Sequence, residues 1–134
     1  MRLVLLAVVC ACLPWGSLHA QSFDGEWSVL HVCESTQEGA RGYTWRYSAR
    51  VKDGHFVGQF REKGQSPSMT LEGRIKADGT ASLSARGTSG SAEFNQKFAT
   101  TATPISFEVM AKFTGATGTG DRVGSRVCKF TFTR

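Results

Sequence analysis

From Ser22 to Arg134 the chain alternates apolar and polar residues with a period of two. Ile105, Phe107, Val109, Ala111 and Phe113 interleave with Ser106, Glu108, Met110, Lys112 and Thr114. Met69, Leu71, Gly73 and Ile75 interleave with Thr70, Glu72, Arg74 and Lys76. Tyr43, Trp45, Tyr47, Ala49 and Val51 do the same with Thr44, Arg46, Ser48, Arg50 and Lys52. Successive side chains of a strand point to opposite faces, so each run is a strand with one buried and one wet face. No segment has a convincing 3.6-residue period, so helix is limited to a turn or two in loops.

The runs predict eight strands, over 23–33, 43–52, 55–62, 68–77, 80–88, 104–114, 117–123 and 126–134. Asp53-Gly54, Asp78-Gly79 and Gly115-Ala116 make tight connections. Asp-Gly between alternating runs favours a type I′ turn, whose twist matches that of paired strands. Most of the other connections are longer; the longest, Ser89 to Thr103, carries Phe94 and Phe98. In up-and-down order the tight turns all fall at one end and the long loops at the other. That describes an eight-stranded antiparallel up-and-down β-barrel, a cup with a narrow base and an open mouth. Closure also removes exposed sheet edges. The same pattern allows a two-sheet sandwich.

The cysteines help choose. Residues 1–20 read as a signal peptide: Arg2, then the apolar run Leu3 to Leu13, then Pro14, with a cleavage site near Ala20. The run is too short to span a bilayer, which takes about 20 apolar residues. A lipoprotein would instead keep Cys12 as its first residue, but Cys10 before Ala11 fits that recognition poorly. Cleavage near Ala20 leaves one barrel domain, 21–134, in the periplasm or outside the cell, with one cysteine pair, Cys33 and Cys128. An even pair in an exported protein usually forms a disulfide. With Cys33 opposite Cys128 on antiparallel strands, His31 faces Phe130, Val29 faces Phe132 and Trp27 faces Arg134. Apolar positions meet apolar positions, so first and last strands pair and the sheet closes.

Removing Arg2 with the signal leaves fifteen Lys and Arg against eleven Asp and Glu, a net charge of +4. Outside the cytoplasm this fits a charged exterior or an anionic ligand, and no nucleic-acid partner is expected. No later stretch is apolar enough for a transmembrane helix. The basic outward positions Arg46, Arg50, Lys52, Arg74 and Lys76 would suit an anionic envelope surface.

Phe23-Asp24-Gly25-Glu26-Trp27 contains Gly-x-Trp and is similar to the opening of the lipocalins and, more loosely, the avidins. The resemblance implies a calycin-like barrel whose base is closed by the tryptophan, with an arginine from the last strand lying across it. Trp27 and Arg134 match those roles by position. The chain is shorter than a usual lipocalin, lacks the helix that follows the barrel, and has no match to the middle lipocalin motif. Gly-x-Trp with one disulfide also resembles small secreted bacterial protease inhibitors built on eight-stranded barrels. Over nearly all of 21–134, the stretches FDGEW, GYTWRYSARVKDG, LEGRIKADGTASLSARG and GTGDRV with Cys128 resemble a family of uncharacterised exported bacterial small β-barrel proteins. That likeness implies a fold and a compartment, and no activity.

Catalytic chemistry finds little support. After Ala20 the histidines are His31 and His55, and no His-x-x-x-His or Cys-x-x-Cys spacing supports a metal site. No serine lies in Gly-x-Ser-x-Gly, and Gly118-Thr119-Gly120 has no helix behind it to make a phosphate loop. No enzyme activity, metal or cofactor is expected. The mouth is the better candidate. Tyr43 and Trp45 face inward there, His31 shares inward parity, and Arg126, Arg122 and Arg41 lie at or near the rim. Aromatic walls with a few guanidiniums suit a small anionic or aromatic ligand. Against this, Phe23, Trp27, Tyr47, Phe56, Phe60, Phe107, Phe113, Phe130 and Phe132 also point inward and are enough to fill a small barrel. The reading is an exported, non-catalytic binding module. The alternatives are a protein-binding barrel, such as a hydrolase inhibitor, and an envelope-associated structural protein.

Overall fold

The computed structural model describes residues 22–96 and 101–134. The expected signal peptide, its cleavage site, Cys10, Cys12 and Phe98 therefore lie outside the described residues. Eight strands form one closed antiparallel barrel in chain order: β1 (Gly25–Cys33), β2 (Tyr43–Lys52), β3 (His55–Phe60), β4 (Ser68–Arg74), β5 (Thr80–Thr88), β6 (Pro104–Thr114), β7 (Thr117–Arg122) and β8 (Cys128–Thr133). Alternation produces the expected two faces; β6, for example, buries Phe107, Val109, Ala111 and Phe113 and exposes the residues between them. The sandwich alternative is thereby excluded.

The closing register pairs Cys33 with Cys128, His31 with Phe130 and Val29 with Phe132. A disulfide joins Cys33 to Cys128 across 95 residues. In the chain-entropy account a loop of that length is worth on the order of 4 kcal/mol. Trp27 meets Arg134 at the other end, where the guanidinium lies 5.2 Å from the ring centroid.

The connections at 53–54, 75–79 and 115–116 form the base. Asp53 and Gly54 both have positive φ, 51° and 78°, as a type I′ turn requires. The second Asp-Gly departs from that expectation. There only Gly79 is left-handed, at 89°, and its N–H donates to Lys76 O. This is a three-residue connection ending in a glycine bulge. A Cβ at Gly79 would strike the Phe113 carbonyl, so close packing of the next hairpin reinforces the choice of glycine. Asp24 clamps the first turn, accepting from Asp53 N at 2.8 Å and Gly54 N at 3.0 Å, while Arg134 Nη1 donates to Asp24 O.

Several strands are shorter than the alternation predicts. β3 ends at Phe60 because Arg61 turns left-handed, with φ 57°. β4 ends at Arg74, leaving Ile75 bridged singly to Ala81. β8 begins at Cys128, so Arg126 belongs to the preceding loop. Period-two patterning persists past the last ladder bond because burial, not pairing, sets it.

The base half of the interior is solid. Phe113 packs against Phe132 at 4.8 Å, Trp27 at 5.3 Å, and Phe23 and Phe56 at 5.9 Å. Gly118 makes room for it: a Cβ there would lie 2.8 Å from Phe113 Cδ1. The Trp27 indole N–H is satisfied by Phe23 O at 2.7 Å.

Candidate functional site

The loop residues 34–42, 61–67, 89–96, 101–103 and 123–127 form the mouth. Within it lies a cavity of about 350 Å³, bounded by Tyr43, Trp45, Pro67, Phe94, Ile105, Arg122, Arg126 and the Ser89–Ser91 segment, among others. That volume is at the low end of small-molecule sites. The barrel is thus filled below and open above, which answers the choice between packed interior and cavity with some of each.

Its walls follow from strand parity and ring stacking. Tyr43 and Trp45 occupy the inward positions at the start of β2 and are half-buried, with ring centroids 4.7 Å apart. Trp45 stacks on Phe60 at 4.3 Å, nearly parallel at 10°. That contact fixes the indole plane.

Arg126 is 2 % exposed, unusual for a guanidinium. Its Nη1 donates to Phe94 O at 2.9 Å and its Nη2 to Arg41 O at 2.8 Å. Arg41 N in turn donates to Glu93 O at 2.7 Å. One side chain from the β7–β8 loop thus pins the β1–β2 loop and the long β5–β6 loop together. The guanidinium also lies 5.4 Å from the Tyr43 ring centroid. Arg126 is therefore a tether as well as a charge.

Arg122, the last residue of β7, faces inward and lies over the Phe107 ring at 4.0 Å. Its Nε is buried without a hydrogen bond, and so is that of Arg126. Arg41 does not join the expected rim cations. Its side chain is exposed, away from the cavity lining, and it contributes only backbone. A loop residue has no parity to aim its side chain, which is why the sequence misplaces it.

His31 keeps its inward parity and does not line the cavity. It is fully buried beneath the cavity, stacked on Phe130 at 4.1 Å and met edge-on by Trp45 at 5.2 Å and Tyr43 at 5.6 Å. Its Nε2 donates to Cys33 Sγ at 3.1 Å, and its Nδ1 has no partner. Burial, reinforced by the Arg122 and Arg126 charges, pushes it down to about 3, so the imidazole is neutral at ordinary pH. Burial raises the Tyr43 phenol from its usual range, against an opposing pull from the same two cations. His31, Cys33 and Cys128 present ligand atoms within 4.8 Å of one another. In the disulfide the sulfurs are bonded to each other and are not the thiolates that take a metal.

The loop residues Pro67, Ser89, Gly90, Ser91, Phe94, Asn95 and Gln96 contribute much of the lining and were missed from sequence. The one available signal was an aromatic, Phe94, in the longest connection. The basic outer face proves mixed: Arg50 pairs with Glu26 at 3.4 Å, and Arg74 Nη1 donates to Asp53 O. Among the described residues no helix is long and apolar enough to cross a membrane.

Comparison of the chain with protein-family models, with curated proteins and with solved structures finds no match.

Proposed function

We propose that this barrel is an exported, non-catalytic binding module that takes a small ligand at its mouth. The cavity of about 350 Å³ above a solid aromatic base carries the reading. A barrel needing only stability would continue its packing to the rim, because an unfilled apolar void forfeits contacts. The titratable groups around the cavity also favour holding over turnover. With His31 lowered to about 3 and Tyr43 raised, neither imidazole nor phenol exchanges a proton near neutrality.

The test is to block the cavity without disturbing the fold. At Gly90 a Cβ meets only Pro67 side-chain carbons, at 3.5 Å, so Gly90→Leu adds bulk to the wall without backbone strain. In a thermal-shift screen of small metabolites the wild type is expected to show at least one strong stabiliser. Gly90→Leu should keep its own melting temperature within a few degrees and lose that response. A stabiliser that acts equally on both proteins would place binding elsewhere.

A protein-binding barrel draws on a different observation. Val32, Val123 and Val127 are 37 %, 54 % and 50 % exposed toward the mouth end. A pull-down from envelope and secreted proteins that Val127→Asp abolishes, and Gly90→Leu does not, would favour that reading.

A further inference from the structure

We propose that the mouth cavity takes a small organic monoanion, its carboxylate held by Arg122 and its aromatic or branched apolar body lying against Trp45, Phe94 and Ile105. The inference rests on the mouth being a binding site and adds the chemical class of what enters it.

The ground is an uncompensated charge. All eleven carboxylate side chains of the sequence fall among the described residues. They pair with Arg50 and Lys129 and approach His55, all on the outer surface, and none pairs with Arg122 or Arg126. Yet Arg126 is 2 % exposed, and both arginines keep a buried Nε without a hydrogen bond. Buried cations are ordinarily paired, because desolvation costs several kcal/mol per ion. The neutral imidazole of His31 and the protonated phenol of Tyr43 supply no negative charge. Among the described residues the cavity wall therefore carries two positive charges and no carboxylate to pair them.

The geometry narrows the class. Both Nη groups of Arg126 are committed to backbone carbonyls, so it contributes field and not a free fork. Arg122 lies over the Phe107 ring, and its guanidinium has no hydrogen-bond or ion-pair partner among the described residues. One available planar fork matches one planar carboxylate. A phosphate dianion would need donors on three oxygens. The remaining wall is mainly aromatic and aliphatic carbon, which selects an apolar body of modest size.

Three probes of similar shape separate the possibilities by isothermal titration: 2-naphthoate, neutral 2-naphthamide and 2-naphthyl phosphate. 2-Naphthoate is expected to bind at least tenfold tighter than 2-naphthamide, with the preference shrinking as salt rises. Arg122→Met should erase the preference while leaving amide binding in place. Arg122→Lys, which keeps the charge and loses the fork, should fall between. A wild-type preference in both variants would overturn the role of Arg122. Equal affinity for naphthoate and naphthamide would overturn the anion and leave the mouth site standing. Tighter binding of the phosphate would overturn the carboxylate. No binding by any probe, or binding that Gly90→Leu does not weaken, would remove the mouth site and this inference together.

Discussion

The two ends of the barrel share eight strands and differ in what occupies the space between them. At the base, short turns bring the strands together over Phe56, Phe113, Phe132 and Trp27, and Arg134 covers the last ring. At the mouth, longer loops leave a cavity, and a buried arginine holds three of them in place. The base arginine is exposed, above the ring it covers; the mouth arginine is buried, with its charge unanswered. One end is arranged for stability and the other retains unspent interactions. A protein that binds needs both, since a cavity lowers stability and something else must supply it.

The sharpest way to break this contrast is at the base. Phe113→Ala removes a ring that touches four other aromatics and is expected to cost about 3–5 kcal/mol, read by urea unfolding. Probe affinity in the folded fraction should change less than threefold. A large loss of binding would show that the halves are not separable.

Acid should act on the two halves in different windows. The folded pKa of His31 lies at about 3, below the ordinary 6.5 of a histidine, so the unfolded chain binds the extra proton between those values. Stability therefore falls as pH drops from about 6.5 toward 3, with a limiting slope of about 1.4 kcal/mol per pH unit. At the base, backbone N–H groups of Gly54 and Asp53 lower the Asp24 carboxyl below 3.8, so its contribution is lost only on further acidification. His31→Phe should flatten the limb above pH 4 and leave the Asp24 window in place. Unfolding free energies that fall equally with pH in both proteins would contradict the buried neutral imidazole.

The smallest effect is expected at Arg41. Because only its carbonyl engages Arg126, Arg41→Ala should shift stability by less than about 0.5 kcal/mol and 2-naphthoate affinity by less than twofold. A tenfold loss would mean that its side chain reaches the ligand after all.

Much of the framework was legible because it is written in local repeats. Alternation named the inward face of β2, and placing Cys33 opposite Cys128 carried the β1–β8 register through to Trp27 and Arg134. The second Asp-Gly turn was misread because the dipeptide does not say whether one or both residues take positive φ; the neighbouring hairpin at Phe113 decides that. The candidate site was legible only where it lies on strands. Tyr43 and Trp45 were placed by parity; Arg122, at the end of β7, was placed only by its nearness to the last loop. Arg41, Arg126 and the lining from Ser89 to Gln96 lie in loops, where orientation comes from contacts between segments 32 to 85 residues apart. His31 had the right parity and the wrong depth, since parity sets the face and not the level.

By itself, then, the sequence determined an eight-stranded closed sheet, its inward face and its two ends, because period, turn chemistry and a cysteine pair act locally or in register. Only the tertiary structure decided that the interior is filled below and open above. A cavity is the difference between the volume the strands enclose and the volume the side chains occupy, and no single segment contains either. The pairing of a charge is likewise a property of its surroundings. Sequence counts show as many as eleven carboxylates, and only the fold shows that none of them reaches Arg122 or Arg126.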